Sequence, residues 1–246
     1  MTSKPTIQNV DRADPRVIAA ACAERRLFDH YGLDPQVHDI EHQDPEIRVR
    51  TLEVGSGPPL LLVPGGPGEA FHFAPLMAQL QGWRLITFDR PGGAMSDAVD
   101  HREVDLRQFA VSILTAVLDY FELDQVPVLA SSMGGLWSLW LALDRPERVS
   151  SMVQFSCPAL VLGTSAPAPM RVMSVPYINS LAFRLFLADS PEKAASVLGM
   201  LGCSEGTVDA LPDQYLETMY RMFNLPAPII MAFADGNSAT TARRQS

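Results

Sequence analysis

Short apolar runs alternate with amphipathic stretches along this chain, and the alternation predicts strands separated by helices. Residues 60–63, 84–88, 126–130 and 149–155 are apolar-rich runs of strand length. Runs without polar alternation suit strands buried on both faces of a mostly parallel sheet. Residues 36–42 and 47–54 predict two further strands ahead of them. Helical spacing occupies 73–81, 105–121 and 134–143; in the second, Leu106, Phe109, Ile113, Val117 and Tyr120 fall on one face. Residues 15–31 predict an early helix, with Asp14 as cap and Pro15 in its first turn. This order defines an α/β fold, a mostly parallel sheet with helices on both faces. In such sheets ligands bind at the carboxyl ends of the strands.

From residue 158 the pattern changes. Residues 158–228 are rich in Met, Phe, Leu and Pro, with helices expected at 178–187, 191–201 and 212–223. They read as a helical lid inserted after the 149–155 strand, the alternative being further helices of the same core. The organisation is then an N-terminal helical extension at 1–35, a core at 36–157, the lid at 158–228 and a C-terminal tail at 229–246. Within that tail, residues 235–246 are polar and aperiodic.

Composition narrows the function classes. The chain has 246 residues, 47% of them hydrophobic, enough for one sizeable core. A net charge of -9 argues against a nucleic-acid partner, because phosphate binding needs clustered Lys and Arg. The uncharged stretch 126–143 approaches the length of a membrane span, but Pro127, Gly134 and Gly135 interrupt it. A strand, a turn and a helix explain it better. The first residues contain no apolar signal core. Cys22, Cys157 and Cys203 match no zinc or redox spacing and read as buried free thiols. A cytoplasmic protein without metal or organic cofactor, acting on a small molecule rather than at a membrane, is the expectation.

The densest chemistry lies at Ala130-Ser131-Ser132-Met133-Gly134-Gly135, between a buried strand and a helix. A nucleophile there sits in a tight, strained turn and projects above the sheet. Close approach of strand and helix requires small residues two before and two after it. Ser132 has Ala130 and Gly134 in those places; Ser131 has Leu129 and Met133. Ser132 is therefore the candidate nucleophile. The run Pro64-Gly65-Gly66-Pro67-Gly68 follows the 60–63 strand. A glycine-rich loop can present backbone N–H groups to a developing oxyanion, the second donor being the residue after the nucleophile. Gly66 and Met133 fit those two roles. No Lys-Ser or Lys-Thr follows the glycines, so a phosphate-binding P-loop is excluded. The loop from Asp89 to Asp97 follows the third of these strand ends and reads as shaping the site's edge.

With these segments in place the chain resembles the α/β-hydrolase superfamily, through LLLVPGGPG, FDRPGGAMSD, VLASSMGG and RPERVSSMVQFS. Two departures stand out. Relatives often open the oxyanion loop with His-Gly, where this chain has Pro64-Gly65. They often carry a second Gly in the third loop, where it has Ala94. The resemblance implies a hydrolase that attacks an ester or related acyl bond through Ser132. Apolar residues of the expected lid (Met170, Met173, Phe183, Phe186, Met200) suit a small hydrophobic substrate, and equally suit lid packing.

The resemblance also implies an acid and then a histidine after the serine. All five histidines, His30, His38, His42, His72 and His101, precede Ser132. Of the later acids Asp144, Asp189, Asp209 and Asp235, none follows a recognisable buried strand. Truncation at the C-terminus, with the final strands missing, is the expectation. It implies an exposed sheet edge after 149–155 and weak or no activity of this chain alone. The alternative function is an inactive homologue or a ligand-binding protein.

Overall fold

The computed structural model describes residues 4–66, 68–156, 190–200 and 203–225. Its strands are β1 (Ile7–Gln8), β2 (Gln36–Gln43), β3 (Glu46–Val54), β4 (Pro59–Val63), β5 (Arg84–Phe88), β6 (Ala98–Val99), β7 (Val126–Ser131) and β8 (Val149–Phe155). β1 pairs with β6, and the other six form one sheet in the order β2-β3-β5-β4-β7-β8. β5, β4, β7 and β8 run parallel, while β2 and β3 are antiparallel additions at one side. The chain leaves β4 for β5 on one flank and then returns to β7 on the other. That reversal is the kind of switch point beside which ligands bind in open α/β sheets, and the three motifs follow the neighbouring strands β4, β5 and β7 there.

Helices cover both faces: α1 (Pro15–His30), α2 (Ala74–Met77), α3 (Leu106–Tyr120), α4 (Met133–Asp144), α5 (Pro191–Met200), α6 (Glu205–Asp209) and α7 (Asp213–Phe223). Side chains alternate along β4, so Leu60 and Leu62 join one core while Leu61 and Val63 join another. The first core packs under α1, α5 and α7 through Leu27, Phe28, Leu198, Met219 and Met222. The second packs under α3 and α4 through Phe109, Ile113, Leu114, Trp137 and Leu141. Complete burial of a side chain such as Leu61 or Leu62 contributes about 1.5–3 kcal/mol.

Caps set the helix starts. The Asp14 carboxylate accepts from Arg16 N, and Asp105 accepts from Gln108 N. Helix α7 lies against α1, so the stretch read as lid and the N-terminal extension share one apolar cluster. The expected helices at 191–201 and 212–223 are present as α5 and α7. The one at 178–187, the tail and residues Met170, Met173, Phe183 and Phe186 lie outside the described residues.

Three expectations are corrected. The helix read at 73–81 is a 3-10 turn, Ala70–Phe73, followed by the single turn of α2. Gln79 N bonds Leu76 O and Leu80 N bonds Met77 O, so the backbone tightens and stops before Gly82, whose φ is +82°. Strand β8 is not buried on both faces: Val153 is 53% and Phe155 49% exposed. It is the outermost strand beyond β7 among the described residues, and α4 packs against it. Cys22 and Cys203 are exposed thiols rather than buried ones. Among the described residues no helix is long and apolar enough to cross a membrane.

Candidate active site

Strand β7 feeds directly into α4, and the residue that makes the corner is Ser132, with φ 48° and ψ -119°. A non-glycine residue rarely adopts such a conformation, which costs about 1–3 kcal/mol and persists only where the surroundings impose it. The restraints are visible. Ser132 N donates to Phe155 O at 2.8 Å, and Gly135 N donates to Ser132 O at 2.9 Å. Ser131, by contrast, is the last residue of β7 and pairs with Phe155. The strained position is thus the one with small flanks, Ala130 and Gly134.

The glycines explain how tightly the two loops cross. A Cβ on Gly134 would lie 2.3 Å from Val63 O and 2.6 Å from Pro64 O. A Cβ on Gly65 would lie 2.6 Å from Ser131 O and 2.7 Å from Ser132 Cβ. The 65–68 segment closes as a turn, with Gly68 N donating to Gly65 O at 2.9 Å. Since C=O and N–H point opposite ways across a trans peptide, that bond turns the Gly66 N–H outward. Gly66 itself has φ +47°. Met133 is the first residue of α4, where backbone N–H groups have no partner within the helix. Ser132 and Met133 are both partly exposed.

Behind this crossing lies a buried ionic network. Asp89 accepts from Ala70 N at 2.9 Å, Arg50 Nη1 at 3.0 Å and Met95 N at 3.3 Å. Arg50 also donates to both carboxylate oxygens of Glu24, on α1. All three side chains are buried. Burial opposes the Arg50 charge, but Glu24 and Asp89 more than offset it and hold the guanidinium protonated. Burial pushes the Glu24 carboxyl up, and the second carboxylate at Asp89 adds to that despite Arg50. Asp89, at the start of the third loop, thus ties Ala70, just past the glycine turn, to β3 and α1.

Two histidines have both ring nitrogens in hydrogen bonds. His38 contacts Tyr120 and Glu53, and His42 contacts Pro45 O and Ser112. His72 Nδ1 lies 2.6 Å from the Tyr215 hydroxyl, and Nε2 lies 3.2 Å from Glu69 Oε2. That last contact is close enough for an ion pair, but its angles are poor, and both Glu69 oxygens lack a hydrogen bond. Burial, with Glu69 next, pushes the Tyr215 phenol up. His30 is exposed with its ring edge-on to Tyr31, and His101 is buried against Phe109. Of the later acids, Asp144 pairs with Arg107, Asp209 ends α6, and Asp189 and Asp235 lie outside the described residues. Ser156, after β8, has φ 51°. The contact of Tyr215 with His72 was not legible in the sequence, since the two are 143 residues apart with no shared pattern. Among the described residues no group of His, Cys, Asp and Glu is arranged to hold a metal.

A parallel sheet with a strained serine at one strand end and a glycine turn at its neighbour is the architecture of one large class of hydrolases. The chain belongs to the α/β-hydrolase fold family, whose model matches residues 58–189. It is 29% identical over 157 residues to a 2-hydroxy-6-oxononadienedioate/2-hydroxy-6-oxononatrienedioate hydrolase of Cupriavidus pinatubonensis, covering 58% of this chain and 50% of that protein. It is 32% identical over 113 residues to the zearalenone hydrolase of Bionectria ochroleuca, covering 44% and 42% respectively. The carboxylesterase CesB of Bacillus subtilis superposes with a TM-score of 0.63 at 16% identity, over 84% of this chain and 67% of that one. The chain thus spans half or less of the length of these two curated relatives.

Proposed function

We propose that this chain is a serine-dependent hydrolase of an ester or related acyl bond in a small hydrophobic molecule. Ser132 Oγ attacks the carbonyl carbon, its proton passing to solvent or to a base outside the described residues. The N–H groups of Gly66 and Met133 stabilise the oxyanion, the alkoxide leaves as the alcohol with a proton returned from that solvent or base, and water, losing its proton the same way, releases the acyl group as the acid and restores the Ser132 hydroxyl. The observation that supports this most is the backbone of Ser132, strained at φ 48° and packed against Gly65. The protein would work in the cytoplasm.

A second reading, binding of such a molecule without turnover, is favoured by the histidines. His38 and His42 have both ring nitrogens in hydrogen bonds, and His72 Nδ1 is held by the Tyr215 hydroxyl. Hydrolysis of p-nitrophenyl acetate and butyrate by the purified chain separates the two. Slow release that falls to background in Ser132→Ala supports the first reading. Equal rates in the two proteins support the second.

A further inference from the structure

The oxyanion turn is glycine-rich, and flexible backbone is a poor place to hold a preorganised donor. One peptide plane beside Gly66 is pinned, because Gly65 O accepts from Gly68 N at 2.9 Å. The other plane ends in the Gly66 carbonyl, and the following residue, Pro67, brings no N–H to the turn. That carbonyl is held instead by Arg90 Nη2, at 2.8 Å. Arg90 N also donates to Gly68 O at 2.8 Å, so one residue grips the turn on both sides of Pro67. Gly68 leaves room for its stem, since a Cβ there would lie 2.9 Å from Arg90 Cβ. The guanidinium lies 4.9 Å from the centre of the Trp137 ring, on α4, and Arg90 is only 2% exposed.

We infer that Arg90 is a positioning residue that, by holding the Gly66 carbonyl and Gly68 O, braces the turn whose Gly65–Gly68 bond aims the Gly66 N–H, with Trp137 seating its guanidinium against the helix that follows Ser132. Arg90 does not touch the substrate. It locks the plane on the C-terminal side of Gly66, while the Gly65–Gly68 bond locks the other. This rests on the reading of Gly66 as an oxyanion donor, but its physical core is independent of it.

The test uses the full chain, ¹⁵N-labelled, as wild type, Arg90→Met, Arg90→Lys and Arg90→Gln. The Gly66 amide resonance and its exchange rate are read beside those of Leu62 and Val128 in the strands. Labelling of Ser132 by a fluorophosphonate is timed on the same samples. Arg90→Met is expected to move the Gly66 resonance and speed its exchange at least tenfold, with the strand amides unchanged. Labelling should slow roughly tenfold, where loss of a whole donor costs about 10²–10³. Lys, which can still donate to the carbonyl, should recover part of both effects. If Arg90→Met does not fold, Lys and Gln decide, with Gln the more perturbed. A Gly66 amide unmoved in the folded variants overturns the inference. Absence of labelling in wild type sinks the serine reading instead, and the amide measurement still decides the role of Arg90.

Discussion

Gly65 and Ser132 are so close that no side chain fits between them: a Cβ on Gly65 would stand 2.7 Å from Ser132 Cβ and 2.6 Å from Ser131 O. The glycine turn and the serine corner are therefore one packed unit. Gly65→Ala forces backbone, not a flexible side chain, to move. Overpacking of this kind costs about 1–3 kcal/mol. The variant should show a lower urea midpoint with an unchanged slope, together with slower fluorophosphonate labelling. An alanine tolerated without either effect would show that the crossing is looser than described.

Arg50 balances two buried carboxylates, Glu24 and Asp89. Arg50→Met leaves them facing each other out of water. Removing one partner of a buried ion pair costs roughly 3–5 kcal/mol. Equilibrium unfolding in urea should show a loss of that order, and a smaller one for Glu24→Gln. A loss under about 1 kcal/mol in Arg50→Met would mean that the network contributes little.

Tyr215 gives a pH dependence with a definite sign. Its folded-state phenol is raised above the ordinary value of 10.0 by burial and then by Glu69. Below pH 10 the group is neutral in folded and unfolded chains, and its full contribution is present. Above that, the unfolded phenol ionises first, and stability falls as pH rises. Tyr215→Phe should flatten this alkaline decline in a series of thermal melts. Tyr31, also raised by burial, keeps part of it. At neutral pH the variant should lose about 1 kcal/mol with the His72 hydrogen bond.

Ala94 stands where relatives of this fold often carry glycine, and its φ is 42°. An L-residue in that region costs about 1–2 kcal/mol, partly offset by the greater freedom of glycine in the unfolded chain. Ala94→Gly should raise the melting temperature slightly, by the equivalent of up to about 1 kcal/mol. A decrease would show that the Ala94 methyl packs usefully in its buried loop.

The sheet was legible because its signals are local. Runs such as Leu60–Val63 need only their own composition, and Asp14 and Asp105 mark helix starts within one turn. Ser132 could be chosen over Ser131 from two flanking residues, because the steric demand of the corner falls on its immediate neighbours. Other features depend on distant partners. Val149–Phe155 was read as buried, yet Val153 and Phe155 are exposed because burial depends on what lies beside the strand. Arg50 reaches Asp89 across 39 residues, and no local pattern announces a pair at that separation.

The central claim is that Ser132 is the reactive serine. Incubating the chain with a fluorophosphonate and mapping the adduct by peptide mass spectrometry tests it most directly. The account predicts one adduct, on Ser132, and none in Ser132→Ala. An adduct on Ser131, or an unmodified Ser132 after prolonged exposure, would contradict it.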